Sequence, residues 1–598
     1  MHPGISLLII SRNGTFMQIA DFLISVIRSI GVTQGFSLVG GMAMHLNRAA
    51  GQNLKIIYCN HEQAVVAAAD GYSKASDFAL PGLAIVTSGP GVTNTVTSLA
   101  SAYYDSVPLI LLAGQVKTAD INHIGVRSYG AQEVPHNDLL RPITKLSFTY
   151  HPSSVTNSDL ARNLAIAMTG RKGPVHIDVP LDVQTLDIKT EADVEEVVAL
   201  YNEHINWDAS QSCTLPEELT NRLKTAQRPL MVLGNALKIA SVSNEFIENL
   251  LEHLGFPVLL TWASMDLLGY DHPMVFGCAG GLAGVHSNRI LQSADLIIFL
   301  GARLDLLTTG FNPANYGKNA SRYVFECDEA ELSKYDNVGS LIGIKADVRA
   351  AMRALLEAGI ASSESLAPWI SQCCSWQTEN QQAEDREFST PCLNIYHVAS
   401  LIASAETIPY VVPTASGYAI EGFARFYKPT KGSRFAWAGH VLGSMGLALP
   451  SAVGASTRLQ KCVACVDGDG GLLLNVQELY TLRANPDLPI ALFILNNRGY
   501  ESIAQSQNRA FKRIFGATAQ SGLAKIDFAP LAHIAGLVYN ACHSYEELKE
   551  AISSIRSDSR VLIDIFLDDD TYRGPAITTK FDDQGRPYST ALEDVTWR

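Results

Sequence analysis

The chain has 598 residues, 47% apolar and 17% charged, with a formal net charge of −14. That length holds several domains, and the composition describes large buried cores rather than a disordered polymer. An acidic balance without a dense run of Lys and Arg excludes a nucleic-acid footprint. The apolar run 5–10 is too short to span a bilayer and lacks the charged segment and small-residue cleavage site of a secretory leader, so a cytoplasmic location and no membrane partner are expected. Ten cysteines lie mostly inside apolar runs and read as small buried hydrophobes. Cys462 and Cys465 have the spacing of a redox or zinc half-site, but they sit in a strand-like run with no second ligand pair, so core packing is expected.

Three α/β domains are expected at 15–188, 215–360 and 391–570, with an extension at 1–14, polar links at 189–214 and 361–390, and a tail at 571–598. In the first domain a helical apolar period covers 19–30 and stops at Gly31, and a strand at 36–39 ends in Gly40 and Gly41. A strand at 55–59 leads through Asn60 and His61 into Glu62 and an Ala-rich helix at 63–75, which lacks a polar face and is expected to be buried. The strand at 83–87 runs into Ser88, Gly89, Pro90 and Gly91, with a helix from Asn94, and further strands follow at 108–113 and 175–179. Glu62 opens a nearly apolar helix, so it is either a charge favoured by the helix dipole or a buried functional acid. The residues alone leave both readings open.

Strands at 230–233, 257–260, 296–300 and 323–326 mark the second domain, with glycines at Gly234, Gly280, Gly281 and Gly301 and an acid at Asp328. No clean G-x-G-x-x-G is present, so structural filler and a dinucleotide site are equal readings. Strands alternating with helices throughout give the fold class as α/β, three doubly wound parallel-sheet domains.

The third domain carries the most informative stretch. An apolar run at 462–466 ends in Gly468-Asp469-Gly470-Gly471, and a second at 489–495 ends in Asn496-Asn497. Asn475 and Glu478 between them read as a capped helix start. Two parallel strands joined by a helix put both polar ends at one sheet edge, where open α/β folds bind ligands. One carboxylate, one amide oxygen and a backbone carbonyl form a hard oxygen set suited to Mg²⁺ shared with a diphosphate. Upstream, Gly443-Ser444-Met445-Gly446 precedes a small-residue helix at 449–455, and by itself Met445 reads equally as a gap-filling core residue. The tail is expected to drape over a neighbouring domain or subunit.

Six motifs stand in family order: Asn60-His61-Glu62-Gln63, the stretch 87–94, Gln132-Glu133, the stretch 173–180, Gly443 to Gly446, and Gly468-Asp469-Gly470 with Asn496-Asn497. Together they resemble thiamine-diphosphate-dependent enzymes of the acetolactate synthase-like family over nearly the whole chain. The resemblance implies a pyrimidine-binding domain, a central nucleotide-fold domain and a diphosphate-binding domain, with the coenzyme between two subunits and hence a homodimer or homotetramer. It implies that Glu62, Gly89, Pro90 and Asn94 meet the aminopyrimidine, with Glu62 on its N1′. Gly443, Met445, Gly468, Asp469, Gly470, Gly471, Asn497 and Tyr500 would meet the rest of the coenzyme, Met445 wedging beneath it. Mg²⁺ would be held by Asp469, Asn497 and the Gly499 carbonyl. The spacing is one residue longer than the family pattern, within the turn 484–489, so Asn496 is the fallback ligand. Gln132, Gly40 and Gly41 would line the reacting centre.

Arg171, Gly301, Arg303 and Asp328 match positions that contact FAD in the synthases, where the flavin is structural. The implied activity is a carboligase that decarboxylates a 2-keto acid such as pyruvate and transfers the acyl anion equivalent to a carbonyl acceptor. The absence of a tandem His pair after Gly89-Pro90-Gly91 favours ligation over aldehyde release. Ala131 stands where the synthases carry Phe, and the acceptor-selecting Trp after Asn497 is missing, which implies a larger acceptor and a branch acting in sugar or polysaccharide pathways. The alternatives are a lyase that cleaves a diketone, a simple 2-keto acid decarboxylase, and an inactive cofactor-binding scaffold.

Overall fold

The computed structural model describes residues 16–209, 211–335, 338–359, 363–388, 393–567, 574–575 and 577–595. The expected N-terminal extension, with its apolar run, lies outside the described residues. Two compact units emerge: Met1–Ala69, Leu80–Tyr103 and Pro108–Ala209 form the first, and Asp70–Ala79, Tyr104–Val107 and Ser210–Arg598 the second.

Among the described residues the first unit holds a six-stranded parallel sheet in the order Lys55–Tyr58, Gln34–Ser37, Gly82–Val86, Leu109–Gln115, Pro174–Pro180, Leu146–Thr149. Leu109–Gln115 is buried along its whole length because it has a paired strand on each side and helices on both faces. The edge strand Leu146–Thr149 is half-buried throughout, which is why no apolar run announces it. Helix Ile19–Ser29 turns Ile19, Phe22, Leu23, Val26 and Ile27 into the core, each such burial worth about 1.5–3 kcal/mol. It ends where Gly31 takes φ +102° and donates to the Arg28 carbonyl.

Sequence expectation and structure part company at both polar links. Residues 189–214 contain helix Glu191–Ala209, whose Val194, Val197 and Tyr201 join the first core. Residues 361–390 contain helix Ser363–Glu387, which buries Leu366, Trp369 and Cys373 and donates Trp369 Nε1 to the Pro229 carbonyl at 2.9 Å. In both helices the buried residues recur at i, i+3 and i+7, a stripe so narrow that the polar remainder reads as a connection.

The second unit carries two six-stranded parallel sheets among the described residues. One runs Val275–Cys278, Val258–Leu260, Pro229–Leu233, Leu296–Leu300, Ser321–Glu326, Leu341–Lys345. The other runs Arg434–Phe435, Tyr410–Pro413, Val463–Gly468, Ile490–Asn496, Arg560–Phe566, Val538–Cys542. Cys462 and Cys465 are fully buried, as packing residues should be. The tail forms a hairpin of Thr579–Phe581 with Pro587–Ser589 and drops Leu592 into the core around Phe299 and Tyr316. Glu593 accepts from Gln292, Asn315 and Lys318; partial burial would raise its carboxyl, but these donors hold it down at about 2. No helix among the described residues is long and apolar enough to cross a membrane.

His176 is fully buried in the first unit, and burial lowers its imidazole from 6.5 to about 4. The unfolded chain therefore binds a proton that the folded chain refuses between those values, so this residue makes stability fall as pH drops from 6.5 towards 4. Against a His176→Asn variant, wild type should lose up to about 3 kcal/mol over that window in urea melts, with no difference above pH 7. Parallel stability curves for the two proteins would show that His176 titrates normally.

Candidate functional site

The expected diphosphate edge is built by two adjacent strands of the second unit. Val463–Gly468 pairs in parallel with Ile490–Asn496, Gly468 lying opposite Leu495, so their C-terminal ends fall together. Asp469 begins the short helix Asp469–Leu472 and is 3% exposed. Its Oδ1 accepts from the Gly470 N–H and its Oδ2 from the Gly499 N–H, both at 2.8 Å, so one carboxylate ties the two loops together. Burial raises it to about 6 against the pull of those amides. Asp467, fully buried behind it, is pushed up to about 7 by burial, and its Oδ2 has no partner among the described residues.

The two asparagines differ. Asn496 donates Nδ2 to Asp564 Oδ1 at 2.9 Å and its carbonyl accepts from Leu567, so it belongs to the sheet. Asn497 Oδ1 is buried and accepts no hydrogen bond among the described residues. A buried carboxylate with a raised pKa, bonded to the amide two residues beyond a buried amide oxygen that accepts no hydrogen bond among the described residues, offers the oxygens that a hard divalent cation would satisfy. Tyr500 lays its ring on Gly470, where a Cβ would come within 2.3 Å of the ring, while around Gly468 the same atom would meet nothing within 4 Å. At Gly471 a Cβ would strike Asp467 Oδ1 at 2.3 Å.

The helix does not start from Asn475: Glu478–Ala484 has Gln477 at its N-cap. Asn475 ends a 3-10 turn, donates Nδ2 to the Gly446 carbonyl at 2.8 Å and accepts from Gln477, while Glu478 accepts from Thr481. Asn475 is drawn away from the helix end because it anchors the loop that carries Met445. In that loop Gly443 and Gly446 take φ +66° and +82°, and Met445 between them is 39% exposed rather than packed in the core.

A buried ionic clamp steadies the same loop. Asp105 accepts from the His440 and Val441 N–H groups at 3.1 and 2.9 Å and from Lys74 Nζ at 2.9 Å, and Lys74 also donates to the Trp437 carbonyl and pairs with Asp70. Burial opposes the Lys74 charge, but the two aspartates raise its pKa above the ordinary value. The His440 ring lies 3.9 Å from Trp262, centroid to centroid. Sequence reasoning passed over Lys74 and Asp105. The available signal was Asp70 and Lys74 at i, i+4 inside an otherwise apolar helix, where unpaired charges would be too expensive to bury.

In the first unit, Glu62 is the first residue of helix Glu62–Ala75 and is 9% exposed. Asn94 Nδ2 donates to its Oε2 at 2.9 Å, leaving Oε1 without a hydrogen bond among the described residues. The helix expected from Asn94 is instead two, Pro90–Thr93 and Val96–Tyr104, and the break between them aims Asn94 at Glu62. Pro90 opens the first of these, with Gly89 at φ +64°. A Cβ at Gly89 would lie 2.6 Å from the Gln132 carbonyl, so the loops carrying Gly89 and Gln132 touch backbone to backbone. Gln132 itself takes φ +64° and is exposed. Gly40 packs on Thr87, whose side chain a Cβ would meet at 2.5 Å, whereas Gly41 faces open space.

The four residues matched to FAD contacts are divided between the units. Arg171 lies in the loop before Pro174–Pro180 of the first. In the second, Gly301 follows strand Leu296–Leu300 with φ +58°, Asp328 caps helix Glu329–Ser333, and Arg303 donates to the Tyr104 carbonyl while its buried Nε makes no hydrogen bond among the described residues and faces Glu331 Oε1 at 3.8 Å.

Three family models match the chain: the thiamine pyrophosphate enzyme N-terminal TPP binding domain over residues 17–139, the central domain over 217–355, and the C-terminal TPP binding domain over 416–565. The acetolactate synthase isozyme 3 large subunit of Escherichia coli K12 is 30% identical across 91% of this chain and 94% of its own length. A probable acetolactate synthase large subunit of Methanocaldococcus jannaschii is 29% identical across 92% of each chain, and the acetolactate synthase large subunit of Lactococcus lactis is 28% identical across 92% of each.

The contrast between Gly468 and Gly470 gives a direct check on the packing of this edge. Gly470→Ala should destabilise the protein by about 1–3 kcal/mol, while Gly468→Ala should stay within about 0.5 kcal/mol of wild type in denaturant melts. Equal effects at the two positions would mean that Tyr500 does not pack on Gly470.

Proposed function

Because the chain belongs to the thiamine pyrophosphate enzyme family, acetolactate synthase-like in three domains and over nine-tenths of its length, we propose a Mg²⁺-dependent carboligase that joins the acyl unit of a 2-keto acid to a second carbonyl compound. The observation that carries the metal-diphosphate half of this reading is buried Asp469, tied to the Gly499 amide two residues beyond Asn497, whose own buried Oδ1 accepts no hydrogen bond among the described residues. The set fits a divalent cation in number and hardness, and Asp469, Asn497 and the Gly499 carbonyl would hold it against the diphosphate. Bound thiamine diphosphate supplies a carbon acid that adds to a ketone and stores the electron pair left when CO₂ departs.

The chain's own residues prepare and shield that chemistry. Glu62, nearly buried and steadied by Asn94 on one oxygen, has its second oxygen available to hold a proton at N1′ of the aminopyrimidine. Met445, presented by two left-handed glycines, would support the coenzyme from below. Gly40 and Gly41 bring backbone to the reacting centre without side chains, and Gln132 adds a polar group beside it. Pyruvate is the proposed donor. The small Ala131 and the missing Trp after Asn497 support an acceptor bulkier than a second simple 2-keto acid, carried in the cytoplasm by a homodimer or homotetramer. Gly301, Arg303 and Asp328 would hold FAD as a structural ligand with no redox step, a reading supported by their match to the FAD-contacting positions of the synthases.

Glu62→Gln should leave the thermal melt intact and lower turnover of pyruvate by about 10²–10⁴-fold; wild-type turnover in that variant would remove Glu62 from proton handling. Incubation with pyruvate, Mg²⁺ and coenzyme should release CO₂ and, with an added aldehyde or ketone, yield a ligated product. Cleavage of a cyclic diketone without CO₂ release would favour the lyase reading instead. A purified protein with flavin absorbance is expected, and a colourless one counts against FAD.

A further inference from the structure

A buried polar network in the first unit lies directly behind the loop that carries Gly89. His136 begins the short helix His136–Leu140 and has no exposed side-chain surface. Its Nε2 faces the Gly89 N–H at 3.1 Å and its Nδ1 faces Asp178 Oδ1 at 2.9 Å. A backbone N–H can only donate, so Nε2 must present its lone pair, and the ring proton sits on Nδ1, donated to the Asp178 carboxylate. Gln115 agrees with this tautomer: the two hydrogens of its Nε2 have acceptors in the Val134 carbonyl at 3.1 Å and Asp178 Oδ2 at 3.2 Å, so its 3.1 Å approach to His136 Nδ1 needs no hydrogen bond. The other end of Gln115 meets Ser88, whose single hydroxyl proton is shared between Gln115 Oε1 and the Gln132 carbonyl, each at 2.8 Å.

His176 completes a trio with His136 and Asp178 whose ligating atoms lie within 4.8 Å of one another. Ser147 holds its Nδ1 at 2.8 Å, and its buried Nε2 makes no hydrogen bond among the described residues, lying 3.8 Å from Asp178 Oδ1. A cation held there would take the lone pair of His136 Nδ1 and move the proton to Nε2. Two N–H groups, those of His136 and Gly89, would then face each other at 3.1 Å with neither satisfied, and a buried donor left in that state costs about 1–3 kcal/mol. The geometry therefore favours a proton on Nδ1 over a metal.

We propose that His136 is a positioning residue: locked as the Nδ1–H tautomer by Asp178, it fixes the Gly89 amide, and through Gln115 and Ser88 the same carboxylate fixes the Gln132 carbonyl. The Gly89 loop, which the family resemblance puts at the coenzyme pyrimidine, and the Gln132 loop, which the proposed function puts beside the reacting centre, are thereby set by one buried Asp–His pair. This rests on that reading of Gly89 and Gln132.

Three variants of the full-length protein separate hydrogen bonding from packing. His136→Gln can accept from Gly89 and donate to Asp178 with one amide. His136→Asn reaches only the Asp178 end, and His136→Leu does neither. Thiamine diphosphate affinity, measured by fluorescence titration at saturating Mg²⁺, should stay within about threefold of wild type for the Gln variant and weaken about tenfold or more for Asn and Leu. The KM for pyruvate should follow the same order, with thermal melts confirming folded protein. If Leu fails to fold, the Gln and Asn pair still decides. Equal weakening in Gln and Asn would reduce His136 to a packing residue, and unchanged affinity in Asn and Leu would remove it from the site. Stoichiometric transition metal in purified wild type, lost in His176→Ala, would replace the relay by a metal centre. Wild type that binds no coenzyme would overturn the proposed function rather than the tautomer, which the Gln–Asn difference in melting temperature would still report.

Discussion

A carboxylate buried where two strands end governs the third sheet. Asp469 is 3% exposed, yet it accepts amides from both loops, and burial lifts it to about 6. Removing a charge from water is costly unless a partner replaces the water. The local backbone supplies only part of that replacement, and Asn497 Oδ1 is a further buried oxygen that accepts no hydrogen bond among the described residues. Such an arrangement stores instability that a divalent cation would relieve, and a bound cation would make loop geometry and ligand binding one linked equilibrium. Asp467, pushed higher still behind it, keeps a second buried carboxyl within the same edge.

The loops that would touch coenzyme are all tied down from behind by buried polar groups rather than by their own exposed surfaces. Lys74 and Asp105 hold the backbone that leads to Met445, Asn475 holds Gly446, and His136 holds Gly89. Each tie is a hydrogen bond from or to a main-chain group, which fixes position without adding bulk at the reacting face. Rigid support of this kind is what orientation-dependent chemistry requires, because small displacements of reacting groups reduce rate steeply.

Much of the architecture is legible in the sequence because parallel strands buried on both faces leave apolar runs, and the glycines that follow them mark where loops turn. The strands at Gly82–Val86, Leu296–Leu300 and Ile490–Asn496 all announce themselves in this way. Edge strands such as Leu146–Thr149, and helices that bury one residue per turn, do not. The helices Glu191–Ala209 and Ser363–Glu387 read as links because their exposed faces outnumber their buried stripes. At the site, the Gly-Asp-Gly turn and Glu62 are visible as charges interrupting apolar pattern. The choice between Asn496 and Asn497 rests on one inserted residue in the sequence and on Asp564 in the fold, a partner nearly seventy positions away that no local pattern reveals. His136 and Asp105 were silent for the same reason: their partners are distant in the chain.

The family supplies the coenzyme, and the chain's own geometry says how its metal would be held. Calorimetric titration of thiamine diphosphate, with and without Mg²⁺, into wild type and Asn497→Ala tests that arrangement most directly. Wild type should bind tightly only with Mg²⁺, and Asn497→Ala should lose about tenfold or more of that Mg²⁺-dependent affinity. Undiminished Mg²⁺-dependent binding in Asn497→Ala would contradict the assignment of Asn497 as a ligand of the cation.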